Sequence, residues 1–171
     1  STASAQTGRF TVLSGTFQEV AGRPSGLRQA LEEHLRSAEL DAFRLRRLLW
    51  SQRRQLGLSD ETELEALLRF LRPHGGDSVQ PDNQQNRLFA LFVRVLRALA
   101  EERPVMLSLE GLGAGGELSA AFLEFISFEL SVDPFPLFVL GSSGLLNSHQ
   151  EFAHRFARTD RYEGSVRHCL E

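Results

Sequence analysis

The run VMLSL, at residues 105–109, constrains the fold of this chain most strongly, because it is apolar except for Ser108 and follows Pro104 directly. A short and nearly unbroken apolar run predicts a β-strand that is covered on both faces. Two further β-prone runs occupy residues 9–14 and 135–140. Helical patterns separate the three runs and no β-hairpin signal joins them, so the sequence predicts an α/β fold with a three-layer parallel sheet.

The helical patterns repeat apolar residues three and four positions apart. They occupy residues 27–35, 40–57, 60–71, 88–100, 117–130 and 145–156. The third is the best marked, because Asp60 and Glu63 have the spacing of a capping box and Pro73 ends the pattern. Residues 74–86 are polar and contain Gly and Pro, which predicts a surface loop.

Composition and charge exclude several classes of function. The formal net charge of -3 gives no basic field for a nucleic-acid backbone. All 19 basic residues are Arg, so the chain has no lysine for a Walker A loop. Its only cysteine, Cys169, forms no internal disulfide, which is typical of the reducing cytoplasm. Acidic residues interrupt the longest apolar stretch, residues 120–140, and exclude a membrane span there. We therefore expect a cytoplasmic protein that binds neither nucleic acid nor membrane.

A glycine-rich turn follows the run at residues 105–109. Gly111, Gly113 and Gly116 form the pattern G-x-G-x-x-G, which binds a dinucleotide pyrophosphate when it follows a strand and opens a helix. The acidic residue that this pattern requires at the end of the next strand is missing. Glu110 also places a negative charge beside the position of the pyrophosphate. These two departures weaken the prediction of a dinucleotide site.

The segment at residues 87–143 has a second set of features. Its first helix ends in Glu-Arg-Pro at positions 102–104, a buried strand delivers the acid Glu110, Leu112 fills the next apolar position, and a helix begins near Glu117. This arrangement resembles the Walker B region of large AAA-type, STAND-like P-loop ATPases. Such ATPases are bacterial regulatory modules that are often joined to kinase, cyclase or transcription-factor domains.

Two earlier segments extend the resemblance over most of the chain. Residues 59–73 are similar to the helical insert of these ATPases, and residues 9–31 to the strand and helix that follow their P-loop helix. The resemblance implies an incomplete P-loop-NTPase-like sheet in which the three strands lie side by side and residues 105–109 are central. It also implies one degenerate domain at residues 9–171 with a helical insert at about 40–86. Residues 1–8 are small and polar and predict a flexible lead-in.

The departures from the ATPase motif concern its chemistry. Gly111 and Gly116 stand where the family has acids, so Glu110 is the residual Walker B acid. In the intact motif, carboxylates organise Mg²⁺ and orient the attacking water. Ser142 and Ser143 end the next strand with hydroxyls but without a sensor arginine. We therefore expect an eroded Walker B loop and no bound cofactor, with ATP and Mg²⁺ relevant only if a P-loop lies upstream.

These features predict a degenerate, non-hydrolysing NTPase-like module that regulates a signalling assembly by protein interaction. One alternative is a fragment of an active STAND or AAA-type ATPase whose P-loop lies upstream, and another is a dinucleotide-binding oxidoreductase domain. A missing P-loop strand would leave an open sheet edge at residues 135–140, which predicts a protein partner or self-association there. Alternatively, residues 161–170 fold back and cover this edge.

The remaining candidates carry weaker patterns. His149 and His154 are five residues apart, which does not place both on one helical face, so we expect no metal site. Trp50 either caps an edge of the core or anchors an interface, and its exposure distinguishes the two roles.

Overall fold

The computed structural model describes residues 10–18, 25–73 and 82–142, which contain three strands and five helices. In chain order they are β1 (Thr11–Thr16), α1 (Ser25–Leu35), α2 (Ala42–Gln52), α3 (Glu61–Leu71), α4 (Asp82–Glu102), β2 (Val105–Glu110), α5 (Leu112–Val132) and β3 (Leu137–Gly141). The predicted lead-in at residues 1–8, the predicted helix at 145–156 and the segment 161–170 lie outside the described residues.

The sheet is parallel, with the strand order β1-β2-β3. Leu13 pairs with Leu107, and Leu107 pairs with Val139 on its other side. The structure therefore confirms that the three strands are adjacent and parallel, with β2 in the middle. Within the described residues β3 forms one edge of the sheet and β1 the other.

The two faces of the sheet differ in burial. Val105, Leu107 and Leu109 of β2 are buried on one face, while Met106 and Ser108 are only half-buried on the other. Both connections cross the sheet in the same direction, so right-handed crossovers place α1, α4 and α5 over the first face. The prediction that β2 is covered on both faces therefore holds for only one face in the described part of the chain.

An aromatic cluster joins the two long helices on the covered face. The ring of Phe122 in α5 meets those of Phe89 and Phe92 in α4 edge-on, at centroid distances of 5.3 and 5.5 Å. All three side chains are buried. Edge-to-face pairs of this kind add to the stabilisation from burial, so the cluster fixes how α5 lies beside α4.

The start of α3 agrees with the capping pattern in the sequence. Asp60 caps α3, because its carboxylate accepts from the Glu63 amide (2.9 Å), and the Glu63 carboxylate accepts in return from the Ser59 amide (2.7 Å). The predicted loop at residues 74–86 was too long, since α4 already begins at Asp82. Residues 82–86 therefore belong to the first turns of α4, and Asn86 is exposed there.

The helix expected at residues 117–130 is preceded by one further turn. α5 starts at Leu112, and a kink at Gly116 separates this first turn from the rest of the helix. No helix in the described ranges is long and apolar enough to cross a membrane.

Candidate functional site

The carboxyl ends of the three strands form the candidate site, because ligands of open α/β sheets bind at this edge. β1 ends beside Phe17, β2 ends at Glu110, and β3 ends beside Ser142. The structure thus brings the predicted residues Glu110, Gly111 and Ser142 to one edge. Gly113 and Gly116 lie in the first turn and at the kink of α5, and Ser143 is outside the described residues.

Glu110 is the acid that ends the central strand. Its carboxylate is exposed, and its backbone carbonyl accepts from the Phe17 amide at 2.8 Å. No group of three or more His, Cys, Asp or Glu residues that could hold a metal ion occurs in the described segments. Hydrolysis assisted by Mg²⁺ requires several oxygen ligands and a group that orients water. Glu110 supplies one carboxylate toward such a ligand set.

Gly111 allows the chain to turn from β2 into α5. Its backbone is left-handed, with φ 67° and ψ 34°, a conformation that glycine adopts without a steric penalty. A Cβ at this position would lie 2.8 Å from the Phe17 carbonyl oxygen. Glycine is therefore needed at this tight turn, which packs closely against the end of β1. The Phe17 carbonyl occupies the space beside the turn.

The backbone amides at the start of α5 are largely occupied. The Leu112 amide donates to the Ser142 carbonyl at 3.0 Å, and the amides of Ala114 and Gly115 donate to the Gly111 carbonyl at 2.9 and 3.2 Å. A phosphate bound at a helix N-terminus needs such amides as free donors. An anion at this helix start would therefore have to displace hydrogen bonds that the chain already makes.

Gly116 has a different reason to be glycine. Its φ of 55° and ψ of -134° lie in a region that is essentially restricted to glycine, yet nothing lies within 4 Å of a Cβ added there. Ser119 stabilises the resulting kink, because its buried hydroxyl contacts the carbonyls of Leu112 (2.7 Å) and Gly116 (2.9 Å). The hydroxyl thus joins the first turn to the body of the helix.

Phe17 is the residue of this site that the sequence analysis missed. Its side chain is 3% exposed, and Cβ atoms added at Gly26 and Gly115 would lie 2.9 and 2.8 Å from its ring. The ring therefore fills the space between α1 and the first turn of α5. The alternation of Leu13, Gly15 and Phe17 towards the core was the available signal, since it continues past the end of β1.

Ser142 contributes its backbone to the site. Its amide donates to the Leu109 carbonyl at 2.9 Å, which extends the pairing of β2 and β3, and its carbonyl accepts from Leu112. The residue therefore connects the end of β3 with the start of α5. His149 and His154 lie outside the described residues.

No protein-family model matches the chain, and comparisons with curated proteins and with solved structures find no match.

Proposed function

We propose that this chain is a degenerate, non-hydrolysing NTPase-like module that acts in a regulatory or signalling assembly through protein contact at the β3 edge of its sheet. The parallel order β1-β2-β3, with the acid Glu110 ending the central strand, is the arrangement that the resemblance to STAND-like ATPases predicts. This agreement in topology supports an incomplete P-loop-NTPase-like fold.

The geometry of the carboxyl edge supports the loss of hydrolysis. Gly111 packs against the Phe17 carbonyl, and Glu110 is the one acid of the loop. The amides of Leu112, Ala114 and Gly115 are hydrogen-bonded within the chain. These contacts hold the turn between β2 and α5 against the end of β1. The same contacts argue against the dinucleotide alternative. A pyrophosphate must approach the backbone closely and needs free amide donors, and these contacts occupy both.

The exposed apolar side chains of β3 carry the proposal of a protein contact. Phe138 and Leu140 are 53% and 54% exposed, although they belong to a parallel strand, a type that is normally covered on both faces. Val12 of β1 lies on the same face and is 43% exposed. These side chains form an apolar surface that continues to the sheet edge that β3 forms within the described residues.

The backbone of β3 adds polar groups to that edge. The Ser142 amide pairs with β2, and since the pattern alternates along a parallel strand, the amides of Val139 and Gly141 point away from β2. Unpaired groups at an edge are a template for an additional strand. A partner strand, or β3 of a second copy, would satisfy these groups and cover the neighbouring apolar side chains.

Light scattering over a concentration series of the purified chain tests this function. We expect the wild-type chain to associate and Phe138→Lys to weaken the association at least about tenfold, because a charge would be buried in an apolar contact. Phe128→Lys is the matched control, since Phe128 is 59% exposed but lies on α5. Equal association of the Phe138 variant and the wild type, or a strictly monomeric wild type, would contradict self-association at β3.

The nucleotide half of the proposal is tested separately by calorimetry with ATP and Mg²⁺, and with NAD. We expect no measurable binding of either, because the chain has no lysine-bearing phosphate loop and the start of α5 is internally bonded. A low-micromolar dissociation constant for ATP would favour the ATPase alternative, and one for NAD would favour the oxidoreductase alternative.

A further inference from the structure

Helix α2 carries an aromatic and basic stripe on its outer face, formed by Phe43, Arg47 and Trp50. Their spacing of four and three residues places them on one side of the helix. Phe43 is 71% exposed and Trp50 is 52% exposed, whereas Leu45 and Leu49 on the opposite side are 0% exposed. The core thus takes up the leucines of α2 and leaves the α2 stripe without cover in the described part of the chain.

The charges around the stripe are unevenly compensated. From Ala42 to Arg54 the chain contains five arginines and no acidic residue: Arg44, Arg46, Arg47, Arg53 and Arg54. Arg44 pairs with Asp41, and Arg46 pairs with Glu61 and Glu65. Arg47 and Arg54 form no ion pair within the described residues. A protein with a net charge of -3 therefore presents a local positive surface on α2.

Trp50 is held in place by its neighbours. The guanidinium of Arg53 lies 4.6 Å from the centre of the indole ring, and its Nη1 donates to the Trp50 carbonyl at 3.1 Å. Beside the ring, Arg46, Arg47, Trp50 and Ser51 line an open hollow of about 410 Å³. Binding would lose little side-chain freedom from a ring that is already positioned.

We propose that the α2 stripe binds a short acidic segment of a protein partner that also presents an apolar side chain. Arg47 matches a carboxylate, which an arginine can bind through two parallel hydrogen bonds. Trp50 and Phe43 offer the apolar area, and tryptophan and arginine are the residues most enriched among those that dominate protein interfaces. This surface lies on a different element from β3, so the inference does not depend on association through the sheet edge.

The surroundings of the stripe favour a peptide over other anionic partners. Glu61 and Glu65 of α3 pair with Arg46 and compensate its charge, so the positive surface that remains is too short to follow a long phosphate backbone. A membrane-surface helix needs a broad apolar face. Leu45 and Leu49 are turned into the core, which leaves Phe43 and Trp50 as the large apolar groups on the outer face of α2.

The test begins with a library of random twelve-residue peptides displayed on phage and selected against the whole chain. The counter-selection uses the double variant Arg47→Glu, Trp50→Ala, in which both changes are at exposed positions and should leave the fold intact. We expect enrichment of peptides in which Asp or Glu flanks Leu, Phe or Trp. No enrichment over the double variant, or enrichment of basic peptides, would overturn the proposal.

An enriched peptide without tryptophan is then synthesised and titrated against the chain. Trp50 is the only tryptophan, so its emission should shift to shorter wavelength as the peptide covers it. We expect Arg47→Glu to weaken binding at least about tenfold. The matched control Arg87→Glu makes the same charge change at an exposed residue of α4 and should bind as the wild type does.

Three further results of this titration decide between partners. A version of the peptide with Asn and Gln in place of its acids should bind at least about tenfold more weakly, since the Arg47 contact requires a carboxylate. Equal binding of that version would contradict the charge argument. Tighter binding of a twelve-nucleotide single-stranded DNA, or of phosphatidylserine vesicles, would replace the peptide with a phosphate-bearing partner and so overturn the proposal.

Discussion

Replacement of Gly111 by alanine should destabilise the chain by about 2 to 5 kcal/mol. The left-handed backbone at this position, with φ 67°, costs a residue with a Cβ about 1 to 2 kcal/mol. The added Cβ would also lie 2.8 Å from the Phe17 carbonyl oxygen, and overpacking of this kind costs about 1 to 3 kcal/mol. Because domains are stable by only about 5 to 15 kcal/mol, urea unfolding followed by circular dichroism should resolve the loss.

The other two glycines of the pattern provide the comparison. Gly116→Ala should cost about 1 to 3 kcal/mol, from backbone strain without a steric clash. Gly113 has no positive φ, and alanine is a better helix former by about 1 kcal/mol, so Gly113→Ala should stay within about 1 kcal/mol of the wild type. An unfolding free energy for Gly111→Ala within about 0.5 kcal/mol of the wild type would refute the packing explanation of this turn.

Three further results are expected. Phe122→Ala should lower the free energy of unfolding by about 3 to 5 kcal/mol, because the ring is 0% exposed, whereas Phe128→Ala at an exposed position of the same helix should cost less than about 1 kcal/mol. Burial lowers the pKa of His34 in the folded chain below 6.5. As the pH falls, the unfolded chain therefore binds this proton at a higher pH than the folded chain does, and the free energy of unfolding should decrease as the pH drops below 6.5. His34→Gln should reduce this slope, and an unchanged slope would assign it to other groups. Glu110→Gln should leave the unfolding free energy within about 0.5 kcal/mol of the wild type, since the exposed carboxylate has no hydrogen-bond or salt-bridge partner in the described part of the chain.

Much of the fold could be predicted from local patterns in the sequence. Apolar runs gave the three strands, and the capping pair Asp60 and Glu63 located the start of α3 correctly. The start of α4 was placed too late, because polar residues in a first helical turn look like a loop when their partners are unknown. The extra turn at Leu112 was missed for a related reason, since glycines predict a break and only the contacts of Ser119 show that the turn is held.

Contacts between residues that are far apart along the chain could not be predicted from the sequence. Arg72 directly follows the last residue of α3. Its guanidinium donates to the Leu40 carbonyl at 3.1 Å and pairs with Glu32, a residue 40 positions away. Nothing in the sequence around Arg72 distinguishes it from the other arginines. The role of Phe17 at the carboxyl edge is of the same kind, because it depends on how β1 lies beside the start of α5.

The side chains of β3 that face outwards determine which residues can form the proposed protein contact. The missing P-loop strand predicted an open edge at residues 135–140, but the apolar run there could not tell which side chains face outwards. Leu137 and Val139 pack against the core, so lysine at either position would test folding. Phe138 and Leu140 are the exposed residues, because alternate side chains of a strand point to opposite faces.

The β3 contact is tested most directly by hydrogen exchange at the amides of Val139 and Gly141, followed by nuclear magnetic resonance over a concentration series. Both amides point away from β2, so in the dilute chain they should exchange rapidly, and pairing with a second copy should slow them as the concentration rises. The Leu107 amide of the central strand should stay protected throughout and serves as the internal reference. Rapid exchange at every concentration would contradict self-association at this edge, and protection that does not depend on concentration would mean that the same chain already covers it.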